Sequence, residues 1–214
     1  MRSRAGGLVG VLGILIPLSV ALIRPIWTFP GTSTSGAHLA RWAAEHQTGL
    51  QVTMVGYAVG VTLWLAFGLV VRDRLRRSGS TPVLADLTGA GLVAMATLLL
   101  AGFTAFDVLV MRASSLPSSD ARLLYDLAFG LLAMSGAPAA VGFTAFALAV
   151  RETRALPAYT AVLAVVTGLA HAGLLASFIV PRGFWSLEGQ VITAVPALLW
   201  LWILVTGIEL MRRP

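Results

Sequence analysis

The stretch Gln51–Arg77, QVTMVGYAVGVTLWLAFGLVVRDRLRR, decides the fold. It is uncharged until Arg72, long enough to meet the requirement of about 20 mostly apolar residues for a helix that crosses the hydrocarbon core. In that core every backbone polar group has to bond within its own segment, so the run reads as a transmembrane helix. It then breaks into Arg72, Asp73, Arg74, Arg76 and Arg77. Charge is costly in hydrocarbon, so the cluster marks where the chain leaves the bilayer.

The same grammar repeats along the chain. Six segments qualify as spans: 6–26, 51–71, 83–111, 124–150, 158–180 and 190–210. Thr81-Pro82 reads as an N-cap with proline at the first helical position of the third span, Leu156-Pro157 opens the fifth and Pro181-Arg182-Gly183 closes it. The N-terminal run is long, ends in Arg24-Pro25 and lacks a small-residue cleavage site, so it is expected to stay as the first helix. The expectation is an all-α fold, one polytopic bundle of six transmembrane helices spanning residues 1–214.

Composition agrees. Hydrophobic residues make up 57% and charged residues 11% of 214, against roughly 25% charged in an ordinary soluble domain. Cysteine is absent, which excludes disulfides, thiolate metal sites and Cys nucleophiles. The net charge of +6 comes from 15 arginines and no lysine. They sit at span ends instead of forming a patch, so no nucleic acid is expected as partner. Arginine without lysine, beside abundant Ala, Gly and Val, suggests GC-rich coding and a bacterial inner membrane.

The arginines also predict orientation. With the N-terminus inside, Arg2, Arg4, Arg72, Arg74, Arg76, Arg77, Arg151, Arg154, Arg212 and Arg213 are cytoplasmic; Arg24, Arg41, Arg112, Arg122 and Arg182 are outside. Both termini are therefore expected in the cytoplasm. In the first outer loop, residues 37–46 have helical spacing: Leu39, Trp42, Ala43 and His46 share one face, His38, Arg41 and Glu45 another. This suits a short helix on the outer membrane surface, either covering an opening or serving as a structural cap.

Ionisable residues inside spans are the functional candidates. Asp107 lies more than a turn inside Arg112, and His171 falls near the centre of the fifth span, where an imidazole can move a proton and needs a partner. Asp126, taken as the first turn of the fourth span, fits either a functional role or a favourable place in the helix dipole. Glu188 has a similar cap explanation, and Glu209 beside Arg212 and Arg213 reads as a surface ion pair. Glu45, His46 and Gln51 gather on the outer side. Tyr57 and Trp64 share one stripe, Tyr125 neighbours Asp126, and Trp200 is expected to line an apolar cavity below the polar cluster if it faces inward. Pro17, Pro138 and Pro196 are expected to kink their helices. Gly6-x-x-x-Gly10 and Gly56-x-x-x-Gly60 permit close helix packing. The inner half of the bundle thus reads as apolar and collared with Arg, the outer half as polar, with a pocket opening outward and reaching towards His171.

No metalloprotease, nucleophile-elbow, phosphate-loop or dinucleotide motif is present, and no metal or cofactor is expected. From Pro196-Ala197-Leu198-Leu199-Trp200 through Glu209-Leu210-Met211-Arg212-Arg213 the chain resembles uncharacterised six-span bacterial membrane families, domains of unknown function. That resemblance implies no activity.

Three functional readings follow. In the first, an intramembrane enzyme of isoprenoid cyclase or isomerase type uses Asp107 as acid, Asp126 or His171 as base and Trp200 as a cation-stabilising wall. Acid plus aromatics make this similar to integral-membrane terpene cyclases as a class. In the second, the same pocket, with Tyr57, Trp64, Tyr125, Trp200, Glu45 and His46, binds or transports a lipophilic molecule without chemistry. In the third, the chain is an accessory subunit of a larger membrane assembly. Membrane lipid or a lipophilic small molecule is the expected partner, and nothing in the sequence specifies an oligomer.

Overall fold

The structure, a computed structural model, describes residues 2–23, 29–31, 33–180, 182–187 and 190–212, without the side chains of Arg2, Ser3 and Thr193. Arg24, Pro25, Trp27, Pro181, Glu188 and Arg213 lie outside the described residues. Among those described, every regular element is helical: α1 (Arg2–Ile23), α2 (Gly36–Glu45), α3 (Gln47–Arg77), α4 (Pro82–Arg112), α5 (Ser118–Met134), α6 (Gly136–Thr153), α7 (Ala158–Gly173), a 3-10 turn (Leu174–Phe178) and α8 (Val191–Arg212). Among the described residues six stretches are long and apolar enough to cross a membrane: Arg4–Ile23, Gln47–Arg77, Pro82–Arg112, Ser118–Thr153, Ala158–Phe178 and Ala194–Arg212. The chain is a multi-pass integral membrane protein.

The second, third and fourth spans run past the apolar segments read from sequence, because a helix continues into the headgroup layer where charge is tolerated, while the fifth ends at Phe178, two residues short of the segment read. α3 and α4 have 31 residues each. The fourth span opens at Ser118, with Ser119 and Asp120 in its first turn, and breaks at Ser135 between α5 and α6. Pro138 has no N–H to give the Met134 carbonyl four residues back, and the Ser135 hydroxyl donates to the Leu132 carbonyl at 2.6 Å. α1 and α8 are unbroken helices around Pro17 and Pro196.

Six helices close a ring in the order α1, α3, α4, α6, α7, α8, with α7–α8 the thinnest seam; α5 leans on α4 and α2 on α5. Helix association in lipid relies on close packing, so small residues mark the seams. A Cβ at Gly91 would stand 2.6 Å from the Gly142 Cα, joining α4 to α6, and one at Gly7 would run into the Gly207 carbonyl, joining α1 to α8. Both glycine pairs anticipated from spacing face each other's helix: Gly6 and Gly10 meet Val70 and Phe67, while Gly56 and Gly60 meet Val20 and Pro17. They build the α1–α3 seam within one chain.

That seam carries a second device. Pro17 leaves the Gly13 carbonyl, four residues earlier, without its helical donor. The buried Trp64 indole of α3 supplies one, Nε1 donating to Gly13 O at 2.9 Å.

Because α1 and α8 meet at Gly7 and Gly207, both chain ends lie at one end of the bundle, here the terminal end; the other is the cap end. At the terminal end Arg72 and Arg76 hold Asp86 at 2.6 and 2.5 Å across the α3–α4 turn. Thr81 stands at the N-cap before Pro82, as the sequence suggests, but its side chain makes no cap bond. Its hydroxyl and N–H donate instead to the Glu152 carboxylate of α6, at 2.6 and 3.2 Å.

Candidate functional site

The interior is a column of aromatic rings rather than a void. Towards the terminal end Trp202 meets Phe67, Phe143 and Phe146 edge-on, at 5.9, 4.8 and 4.9 Å. Higher up, Tyr57 stacks on Phe103 at 6.0 Å and meets Trp200 at 6.2 Å, so residues of α3, α4 and α8 converge. Of the expected ligand-contacting residues, Tyr57 and Trp200 are therefore brought together. Phe103, their third partner, was missed as a site residue, since nothing in its own stretch marks the cross-helix contact.

Asp107 lies four residues beyond Phe103 on α4, one turn nearer the cap and on the same stripe. Helical side chains lean towards the N-terminus of their helix, which tilts this carboxylate back towards the Phe103 ring. It is partly buried, and no hydrogen bond or ion pair reaches it among the described residues. Arg112, the arginine nearest along its helix, forms no ion pair with it.

The cap end is closed by residues 29–31 and 33–46. Phe29 lies between Trp42, Phe106 and Phe129, with ring centroids 6.0, 5.8 and 5.7 Å away. Two residues of α5 hold the segment: the Tyr125 hydroxyl donates to the Pro30 carbonyl, and Arg122 Nη1 donates to the Thr34 carbonyl at 2.8 Å. Ser35 caps α2, whose Leu39, Ala40 and Ala43 are buried. His46 ends that helix with Nδ1 donating to the Trp42 carbonyl at 2.8 Å, while Glu45 and Arg41 are exposed and not ion-paired to each other.

Asp126 belongs to this clasp. α5 begins at Ser118, so Asp126 is in the third turn and the helix-dipole explanation does not apply to it. Its carboxylate instead accepts from Arg122 Nε at 2.7 Å, fixing the arginine that holds Thr34.

His171 is buried on α7 beside the Phe143 ring, 5.6 Å away. Its Nδ1 donates to the Thr167 carbonyl at 2.8 Å, so the partner it needs lies one turn back on its own helix. No hydrogen bond or ion pair joins Asp107, Asp126 and His171 to one another. Trp64 sits in the α1–α3 seam, engaged by Gly13. Among the described residues no three of His, Asp and Glu gather as metal ligands.

The terminal half departs from the apolar picture. Glu209 pairs with Arg212 at 3.2 Å as expected, but its side chain is only 6% exposed, so this is no surface pair. Thr206, a turn above it, is fully buried. A half-open cavity of about 420 Å³ lies at the α6–α7 connection, lined by Val150, Arg151, Arg154, Leu156, Pro157 and Ala158.

Compared with protein-family models, with curated proteins and with solved structures, the chain matches none.

Proposed function

We propose that the protein binds, without chemical conversion, a lipophilic molecule whose head group donates hydrogen bonds or carries positive charge. The observation that carries this reading is the Asp107 carboxylate, unpaired and partly buried on the stripe of Phe103. An ionised carboxylate only accepts, so its complement is a donor or a cation. Tyr57, Phe103 and Trp200 form an aromatic cluster beside Asp107, suited to the apolar body of the ligand and to a cationic head. The segment clasped by Tyr125, Arg122 and Asp126 covers the site from the cap end, which the arginine bias assigns to the outer face of a bacterial inner membrane.

A cyclase or isomerase needs a second proton carrier within reach of the acid. Asp126 is occupied by Arg122 and His171 by Thr167, which favours binding over catalysis.

The test is recovery of co-purifying amphiphiles from detergent-solubilised wild type, Asp107→Asn and Tyr57→Phe, identified by mass spectrometry. A charged hydrogen bond is worth roughly 1.5–3 kcal/mol, so Asp107→Asn should retain about a tenth or less of the wild-type ligand. Helicity and melting should be unchanged. Equal recovery from a folded Asp107→Asn variant overturns the assignment.

A further inference from the structure

Three residues of α8, Trp202, Thr206 and Glu209, follow one another at helical spacing and are 0%, 0% and 5% exposed. Trp202 Nε1 and Thr206 Oγ1 have no hydrogen-bond partner among the described residues. This is unusual within the chain. Thr53, Thr62, Thr88, Thr97, Thr104 and Thr153 all return their hydroxyl to the carbonyl four residues back, at 2.7–2.9 Å. Thr206 does not, although the same bond lies within its reach. Two adjacent buried polar groups left open in this way demand a partner.

Chemistry and spacing select that partner. The indole N–H only donates, the carboxylate only accepts and the hydroxyl does both, so whatever links them has both capacities. Four residues of helix rise about 6 Å, the span of two hydrogen bonds of about 2.9 Å meeting at one oxygen.

An opening lies beside the stripe's level at the terminal end. Thr167 Oγ1 donates to the Leu198 carbonyl at 3.4 Å, which fixes the level of antiparallel α7 against α8. Following α7 back from Thr167 by the eleven residues that lead from Leu198 to Glu209 reaches Leu156, beside Pro157. These two line the half-open cavity at the α6–α7 connection. Glu209 therefore stands at the depth of that cavity, and its partner Arg212 is 71% exposed. Phe67, Phe143 and Phe146 pack edge-on around the Trp202 ring.

We infer that the Glu209–Thr206–Trp202 stripe is a water-binding site, a short file of water entering from the terminal end and stopping at the Trp202 indole, where the aromatic rings pack. Water bridges Trp202 Nε1 to Thr206 Oγ1 and continues to the Glu209 carboxylate. The terminal half of the bundle is thereby hydrated to Trp202 and dry above it.

The experiment is hydrogen–deuterium exchange of indole N–H groups in ¹⁵N-tryptophan-labelled full-length protein in micelles, with resonances assigned by Trp202→Phe and Trp64→Phe. Trp64 is the internal dry reference, being buried and bonded to Gly13 O. The Trp202 N–H should exchange at least roughly tenfold faster than Trp64, because exchange requires contact with water. Thr206→Val should slow Trp202 and leave Trp64 unchanged. Trp202 protection equal to that of Trp64 in the wild type overturns the inference and assigns the indole N–H to the ring faces around it.

Discussion

Replacing Trp64 with Phe tests how the prolines are tolerated. The indole donates to the one α1 carbonyl that Pro17 strips of its helical donor. Removing the donor leaves a buried carbonyl unpaired, a cost of about 1–3 kcal/mol, and the smaller ring loses roughly 1–2 kcal/mol of packing. Trp64→Phe should therefore cost about 2–5 kcal/mol by reversible unfolding in mixed micelles followed by circular dichroism. The decisive measurement is the same substitution in a Pro17→Ala background. The alanine restores an N–H to the Gly13 carbonyl, so the hydrogen-bond part vanishes and only packing remains. The two sites should couple by about 1–2 kcal/mol, the upper range for hydrogen bonds between membrane helices. Lost contact between Pro17 and Gly60 cancels in the cycle, since it appears in both Pro17→Ala arms. Equal costs in the two backgrounds, within about 0.5 kcal/mol, would refute the reasoning.

Two further outcomes follow from the packing. Gly91→Ala should destabilise by roughly 1–3 kcal/mol, since its Cβ meets the Gly142 Cα at 2.6 Å; Gly49→Ala, with nothing within 4 Å, should be neutral or stabilising in the same melts. Arg122→Ala should speed amide exchange around α2 by up to about fivefold, because it loses both the Thr34 and Asp126 bonds. Asp126→Asn keeps an acceptor for Arg122 and should change it less, and equal acceleration by both would count against the clasp.

The membrane topology was legible because hydrocarbon imposes a length and a polarity that a single chain segment either meets or fails. The α1–α3 glycines were legible for the same reason, being a pattern within one helix. Asp107 stood out because nothing local neutralises it. What escaped the sequence depends on contacts between helices. Tyr57 and Trp200 are far apart in the chain, and Phe103 carries no polar mark. Asp126 looked like a first-turn acid because Ser118, Ser119 and Asp120 are too polar to count as span, although they form the true first turn. Glu209 was paired with its correct arginine, yet the chain position gives the neighbour and not the depth. Thr206 drew no notice, since threonine in a membrane helix ordinarily satisfies itself.

The length of α3 and α4 has a consequence for access. Thirty-one residues extend about 46 Å against a hydrocarbon core of about 30 Å. The contacts of Gly56 with Val20 and of Gly6 with Val70 show α3 running well past the end of α1 at the cap end. Asp107 is five residues below Arg112, about 7.5 Å along the axis. Its carboxylate therefore lies close to the depth of the leaflet's polar boundary, while the rings of Phe103, Tyr57 and Trp200 lie inside the bundle at the depth of the acyl chains. On the proposed reading, an amphiphile held there would keep its head at headgroup depth and its tail in hydrocarbon, without being lifted out of its own leaflet.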